Sequence, residues 1–117
     1  PEPKEAAEVR LGFTDAGRAD FKRCGAAAIE DIRARIPAQA GASLAPDNYE
    51  GVRINFDREH GDGWALIRQS LHEPILPVNF ESNAEGGCLQ IARALCALLA
   101  PYGGEIDLTK LRQYAQR

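Results

Sequence analysis

The sequence predicts an α+β fold, a two-layer sandwich in which an antiparallel sheet of about four strands carries helices on one face. Apolar and polar residues alternate in several short segments, which is the period of a half-buried strand. In two longer segments apolar residues recur at spacings of three and four, which indicates amphipathic helices. Three strands follow one another through short connections and therefore pair antiparallel, and the helices bury their apolar stripes on one sheet face.

Four segments carry the strand pattern: residues 9–13, 52–56, 64–68 and 75–82. Pro77 lies inside the last of them. A proline has no N–H to donate to a neighbouring strand, so it is normally confined to sheet edges and bulges. The sequence therefore predicts that the last strand is an edge strand or contains a β-bulge.

Three segments carry the helical pattern: residues 17–35, 88–99 and 108–116. Thr14 and Asp15 are residue types that cap the first helix, and Asp107 is a cap for the last. Pro37 and Pro101 end the two long helices. Residues 37–48 are a loop by composition, and residues 1–8 are a tail or linker before a single domain at 9–117.

Composition narrows the function classes. The net charge is -3 without a basic stripe, which argues against nucleic acid as a partner. No apolar run approaches the roughly 20 residues that cross a bilayer, so no membrane partner is expected. The three cysteines have no metal-ligand spacing, which predicts no metal site and favours a reducing cytoplasm. The chain has no methionine, so we expect a piece of a longer protein.

The segment that carries chemistry is GWALIRQSLHEP, residues 63–74. A strand ends in Arg68, a short polar loop follows, and the next strand starts after Pro74. Successive backbone N–H groups in such a loop form an anion nest, and a guanidinium adds a planar fork of donors. Ser70 adds a hydroxyl and His72 a ring N–H. The residues by themselves leave two interpretations open, a phosphate-binding loop and an ordinary solvated loop.

The same region resembles the last domain of the phosphohexomutases, the phosphomannomutase/phosphoglucomutase family. The resemblance rests on three pieces in order: YEGVRI at residues 49–54, GWALIRQS with Glu73-Pro74 at residues 63–74, and a strand that ends in Glu81. Two departures are clear. The family's Asn/Gly-Thr pair is Leu71-His72 here, and many members carry an arginine in the following strand where this chain has Pro77. The match covers residues 49–81, and the order of elements agrees over most of residues 9–100.

The resemblance implies that this domain holds the phosphate that is not transferred and closes over the active site during C1/C6 phosphoryl transfer. The implied binding residues are Arg68, Gln69, Ser70, Leu71 and His72, with backbone N–H groups as the main contribution of the last two. It implies a phosphohexose substrate, upstream domains of the same enzyme as partners, and Mg²⁺ for the parent enzyme. The family's phosphoserine loop and metal loop do not occur in this sequence. We therefore expect no cofactor and no catalytic residue in this chain, and no activity from it alone.

His72 adds a hypothesis of its own. An imidazole in water gains charge below pH ~6.5, close to the second ionisation of a phosphate at pH ~6. His72 could thus replace the missing threonine hydroxyl and bind phosphate best when protonated. The alternative for the chain as a whole is a freestanding protein-interaction module that uses the sheet face left without helices.

Overall fold

The structure is a computed structural model, and it describes residues 2–46 and 50–117. Within these residues six strands form one antiparallel sheet in the order β2-β3-β4-β5-β1-β6. The strands are β1 (Glu5–Phe13), β2 (Ala42–Leu44), β3 (Val52–Phe56), β4 (Gly63–Ile67), β5 (Ile75–Ser82) and β6 (Ile106–Asp107). The helices are α1 (Asp15–Arg18), α2 (Phe21–Arg35), α3 (Gly87–Leu99) and α4 (Thr109–Ala115).

The alternation of side chains divides the sheet into a buried face and an open face. Ile54, Ile67 and Val78 lie on the buried face and are fully covered. The helices pack on this face and contribute the other half of the core, including Ile32 and Leu95. The predicted two-layer α+β sandwich is confirmed.

The sheet has more strands than the four predicted. β2 lies within the segment predicted as a loop, residues 37–48, of which residues 47 and 48 lie outside the described residues. β6 follows the Gly103-Gly104 turn. Both strands have two or three residues, too few for a period of two to stand out in the sequence. They belong to the sheet because longer neighbours pair with them.

Two element boundaries also differ from the sequence prediction. β1 begins at Glu5, inside the segment predicted as a tail, because its first half pairs with the end of β5. The helix predicted over 17–35 is two helices, since the backbone leaves the helical conformation at Asp20, between α1 and α2. The Thr14 hydroxyl does cap α1, where it accepts a hydrogen bond from the Gly17 N–H at 3.3 Å.

The prediction that Pro77 requires an edge strand or a bulge is wrong, because β5 lies between β4 and β1. The Pro77 carbonyl accepts a hydrogen bond from the Arg68 N–H at 3.2 Å. The N–H and C=O of one residue in an antiparallel ladder point to the same neighbour. The missing N–H therefore faces the point just past Ile67 where β4 ends, and the sheet loses one bond at a strand end.

A carboxylate from β1 caps helix α3. Glu5 accepts hydrogen bonds from the backbone N–H groups of Gly86 at 2.9 Å and Cys88 at 3.0 Å. Gly86 precedes the helix with φ of 79° and has no side chain to cap it. These hydrogen bonds lower the pKa of Glu5, and the one from Gly86 has the larger effect. They join the first strand to a helix near the other end of the chain.

Replacing Glu5 with glutamine will lower the free energy of unfolding at neutral pH by about 1 kcal/mol, as for other lost helix caps. Because the pKa of Glu5 is lower in the folded chain, its ionised carboxylate stabilises the fold fully above the unfolded pKa, near 4.5. This stabilisation is lost as the pH falls through the lower pKa of the folded chain. The gap between wild type and Glu5→Gln will therefore close below pH about 4.5. Urea denaturation across this pH range measures the gap, with the exposed Glu2→Gln as the control, and a gap that does not change with pH contradicts the capping role.

Candidate functional site

The candidate site is the loop from Arg68 to Pro74, which joins β4 to β5. Its base is tied together by backbone and side-chain hydrogen bonds. The Ser70 N–H donates to the Ile75 carbonyl at 3.4 Å, and the Glu73 N–H donates to the Ser70 hydroxyl oxygen at 3.3 Å. Leu71 and His72 form the tip, and both side chains are exposed, Leu71 by 74%.

The tip presents hydrogen-bond donors that have no acceptor. The backbone N–H groups of Leu71 and His72 donate to no group in the described part of the chain. The Ser70 oxygen accepts one hydrogen bond, and its own proton has no acceptor among the same residues. Adjacent free N–H groups beside a hydroxyl are the donors that an anion nest uses.

Arg68 lies at the base of this loop, on the open face of the sheet with Trp64 and Leu66. Its side chain is about one-third exposed, and its Nε lies 3.7 Å from a carboxylate oxygen of Glu50, which is itself 72% exposed. At this distance the two groups form an ion pair without a hydrogen bond. Exposed pairs of this kind contribute about 0–1 kcal/mol, so the guanidinium can exchange Glu50 for a ligand at little cost.

Gln69 has a different environment from the residues around it. Its side-chain amide donates a hydrogen bond to the Lys22 carbonyl on α2 at 2.6 Å. Gly25 makes room for this contact, because a Cβ there would lie 2.7 Å from the Gln69 amide nitrogen. The binding role of Gln69 stays a prediction, and in the structure its side chain ties the loop to the helix layer.

Gly51, at the start of β3, supports the loop from the other side. Its φ of 76° lies in the left-handed region, and a Cβ would collide with the Ile67 carbonyl and come within 2.7 Å of the Arg68 Cα. The Gly51 carbonyl accepts a hydrogen bond from Arg33 of α2 at 2.8 Å. The glycine in the EGV motif therefore lets β3 begin against the base of the loop, a role that the motif alone did not reveal.

The fold and the loop together define a two-layer α+β domain with a donor-rich connection between two sheet strands. No family model and no curated protein matches the sequence. Among solved structures, the chain is similar to a phosphoglucomutase/phosphomannomutase family protein from Burkholderia thailandensis, with a TM-score of 0.58 and 16% identity. The match covers 88% of this chain and 18% of that protein. At this identity the similarity shows a shared fold, and this chain spans less than a fifth of its neighbour's length.

Two other kinds of binding feature are a cavity and a membrane-spanning helix. A cavity of about 640 Å³ lies away from the loop, between β1 and α4, and its lining includes Arg10, Lys110 and Arg117. None of the described helices has the length and apolar character to cross a membrane.

Replacing Gly51 with alanine will destabilise the chain by about 1–3 kcal/mol, because the backbone is held in a conformation that alanine disfavours and the Cβ meets backbone atoms of β4. Gly104→Ala is the matched control, since a Cβ there has open space. Denaturant titration of the two variants makes the comparison. Equal stability of the two would show that β3 does not need the close approach.

Proposed function

We propose that this chain is the C-terminal phosphate-binding domain of a phosphohexomutase, and that its loop at 68–74 holds the phosphate of a phosphohexose that is not being transferred. Two independent lines support the proposal. The loop combines a loosely paired guanidinium with free N–H and hydroxyl donors. The fold is shared with part of a phosphoglucomutase/phosphomannomutase family protein. The free donors at Ser70, Leu71 and His72 are the observation that carries the proposal.

The loop residues divide the work of binding. Arg68 presents two parallel N–H donors to phosphate oxygens, an arrangement that fits a phosphate better than a single ammonium does. The Ser70 hydroxyl and the N–H groups of Leu71 and His72 donate to the remaining oxygens. Gln69 keeps the loop on α2, so that these donors are in place before the ligand arrives.

Holding one phosphate fixes the sugar so that its other end faces the groups that transfer the phosphoryl group. Such positioning supplies several kcal/mol of a reaction barrier. In such an enzyme the transfer chemistry and the Mg²⁺ would belong to the upstream domains, as the family resemblance implies. In the whole enzyme the domain would close over the substrate as a lid. The isolated chain would bind with about millimolar affinity, roughly -4 kcal/mol, and would not turn over substrate.

Replacing Arg68 with glutamine will weaken the binding of glucose 1-phosphate or mannose 6-phosphate by roughly tenfold or more, because hydrogen bonds to charged groups are each worth about 1.5–3 kcal/mol. The measurement is a ligand titration of the 117-residue chain. Arg58→Gln is the control: Arg58 is exposed, has no partner among the described residues, and lies between β3 and β4 at the opposite end of β4 from the loop. Identical affinities in the two variants would refute the proposal.

The hypothesis about His72 makes a separate prediction. If the protonated ring adds a positive charge beside the phosphate, affinity will be higher at pH about 5.5 than at pH about 8, after correction for ionisation of the phosphate itself. His72→Gln will remove this difference. His60→Gln will leave it in place, since His60 contacts Asp57 in the connection between β3 and β4. Equal corrected affinity of the wild-type chain at the two pH values would exclude a role for the ring.

A further inference from the structure

The charge around the loop is too negative for a phosphate dianion if Arg68 is its only cation. Glu50 lies 3.7 Å from the guanidinium, and Glu73 is part of the loop. The loop and the residue paired with it therefore carry two carboxylates and one arginine, where the proposed function requires a doubly charged anion to bind. A second cation on a neighbouring strand would resolve this imbalance. This step rests on the proposed function.

The sheet register brings Arg10 into the same row as Arg68. Arg10 of β1 lies directly opposite Pro77 of β5, and the Pro77 carbonyl accepts the hydrogen bond from the Arg68 N–H on the other side. Neighbouring strands lie 4.7–4.9 Å apart, so the Cα atoms of the two arginines are about 10 Å apart across one intervening strand. Two arginine side chains of ordinary length span this separation.

Both arginines belong to the open face of the sheet. Val9 and Leu11, on either side of Arg10, are buried in the core, and Ile67, which precedes Arg68, is buried on the same side. Because successive side chains of a strand alternate between faces, Arg10 and Arg68 project away from the core together. Pro77, which lies between them, is buried and uncharged, so no charged side chain separates the two arginines in this row.

Arg10 is free to take part. Its side chain is exposed, and it forms no hydrogen bond or ion pair with the described residues. The acidic residue nearest to it along the strand face is Glu8, whose carboxylate already accepts a hydrogen bond from the Asn79 amide at 3.4 Å. An exposed guanidinium without a partner, in register with the loop arginine, is the cation that the loop lacks.

We propose that Arg10 and Arg68 bind the same phosphate group from the two sides of Pro77, with the phosphate on the open-face side of the loop. The loop then supplies N–H and hydroxyl donors from above, and the sheet supplies two guanidinium groups from below. Arg10 is a binding residue in this arrangement, and it lies outside the loop that the sequence pattern identifies.

Cationic side chains at two other places on the surface are the alternative binding positions for the phosphate. Lys22 lies on the helix side of the loop, next to the Gln69 anchor. Lys110 and Arg117 line the cavity between β1 and α4, which Arg10 also borders. Either position would place the phosphate away from the row that joins the two arginines.

The test is a titration of the 117-residue chain with inorganic phosphate and with glucose 1-phosphate, in the wild type and in single and paired variants. We expect Arg10→Gln to weaken binding of both ligands roughly three- to tenfold, the range for one exposed charged contact, and Arg58→Gln to leave it unchanged. We also expect the effect of Arg10→Gln to shrink to less than half in an Arg68→Gln background, because the two side chains would share one ligand.

Failure of this inference and failure of the proposed function give different results. If Arg68→Gln leaves binding unchanged, the proposed function itself fails. If Arg68→Gln weakens binding but Arg10→Gln behaves like Arg58→Gln, the function stands and the role of Arg10 is overturned. The role of Arg10 is also overturned if Lys22→Gln or Lys110→Gln weakens binding as much as Arg10→Gln does. It is overturned as well if the effects of Arg10→Gln and Arg68→Gln on the binding free energy are fully additive.

Discussion

The pairing of β5 with both of its neighbours is the constraint on which the rest of the structure depends. β5 pairs with β1 from Glu5 to Gly12 and with β4 from Gly63 to Ile67. The second pairing fixes the two ends of the loop at 68–74, and the first brings a distant strand into the same row. If β5 slipped by one residue, its core side chains would exchange faces with Asn79 and Glu81, so the buried face of the sheet holds this register in place.

Hydrogen bonds hold the base of the loop, and the donors at its tip have no acceptor among the described residues. An anion site requires this combination. Three separate contacts hold the base: Arg68 to Pro77, Gln69 to Lys22, and Ser70 to Ile75. The donors at the tip remain unused within the described residues. Donors that are already in place do not lose entropy when a ligand binds, so even a small loop can favour a dianion over water.

The sequence predicted those parts of the structure that depend on neighbouring residues. The spacing of apolar residues along the sequence predicted the bounds of β3, β5 and α3 closely, since each element is long enough to show its period. The candidate loop could be predicted because its donors are contiguous. The parts that the sequence did not predict depend on contacts between distant segments: the short strand β6, the anchoring of Gln69 by α2, and the close approach at Gly51.

The position of Pro77 shows the limit of a local rule. The rule that proline avoids interior strands assumes that the neighbouring strand on the N–H side needs that donor. Here the position of the missing donor coincides with the end of β4, and this coincidence depends on the lengths of two strands and their register. The same register places Arg10 beside Pro77, although nothing in the sequence near either residue connects them.

The most direct measurement is a map of the backbone amide signals of the isotope-labelled wild-type chain as a hexose phosphate is added. The account predicts that the amides of Leu71 and His72 shift most, because their N–H groups become donors to phosphate oxygens, and that the amides at the start of α3 do not shift. If the loop amides stay in place, and only residues spread over the open sheet face respond to a protein partner, the chain is an interaction module and the loop has no part in binding phosphate.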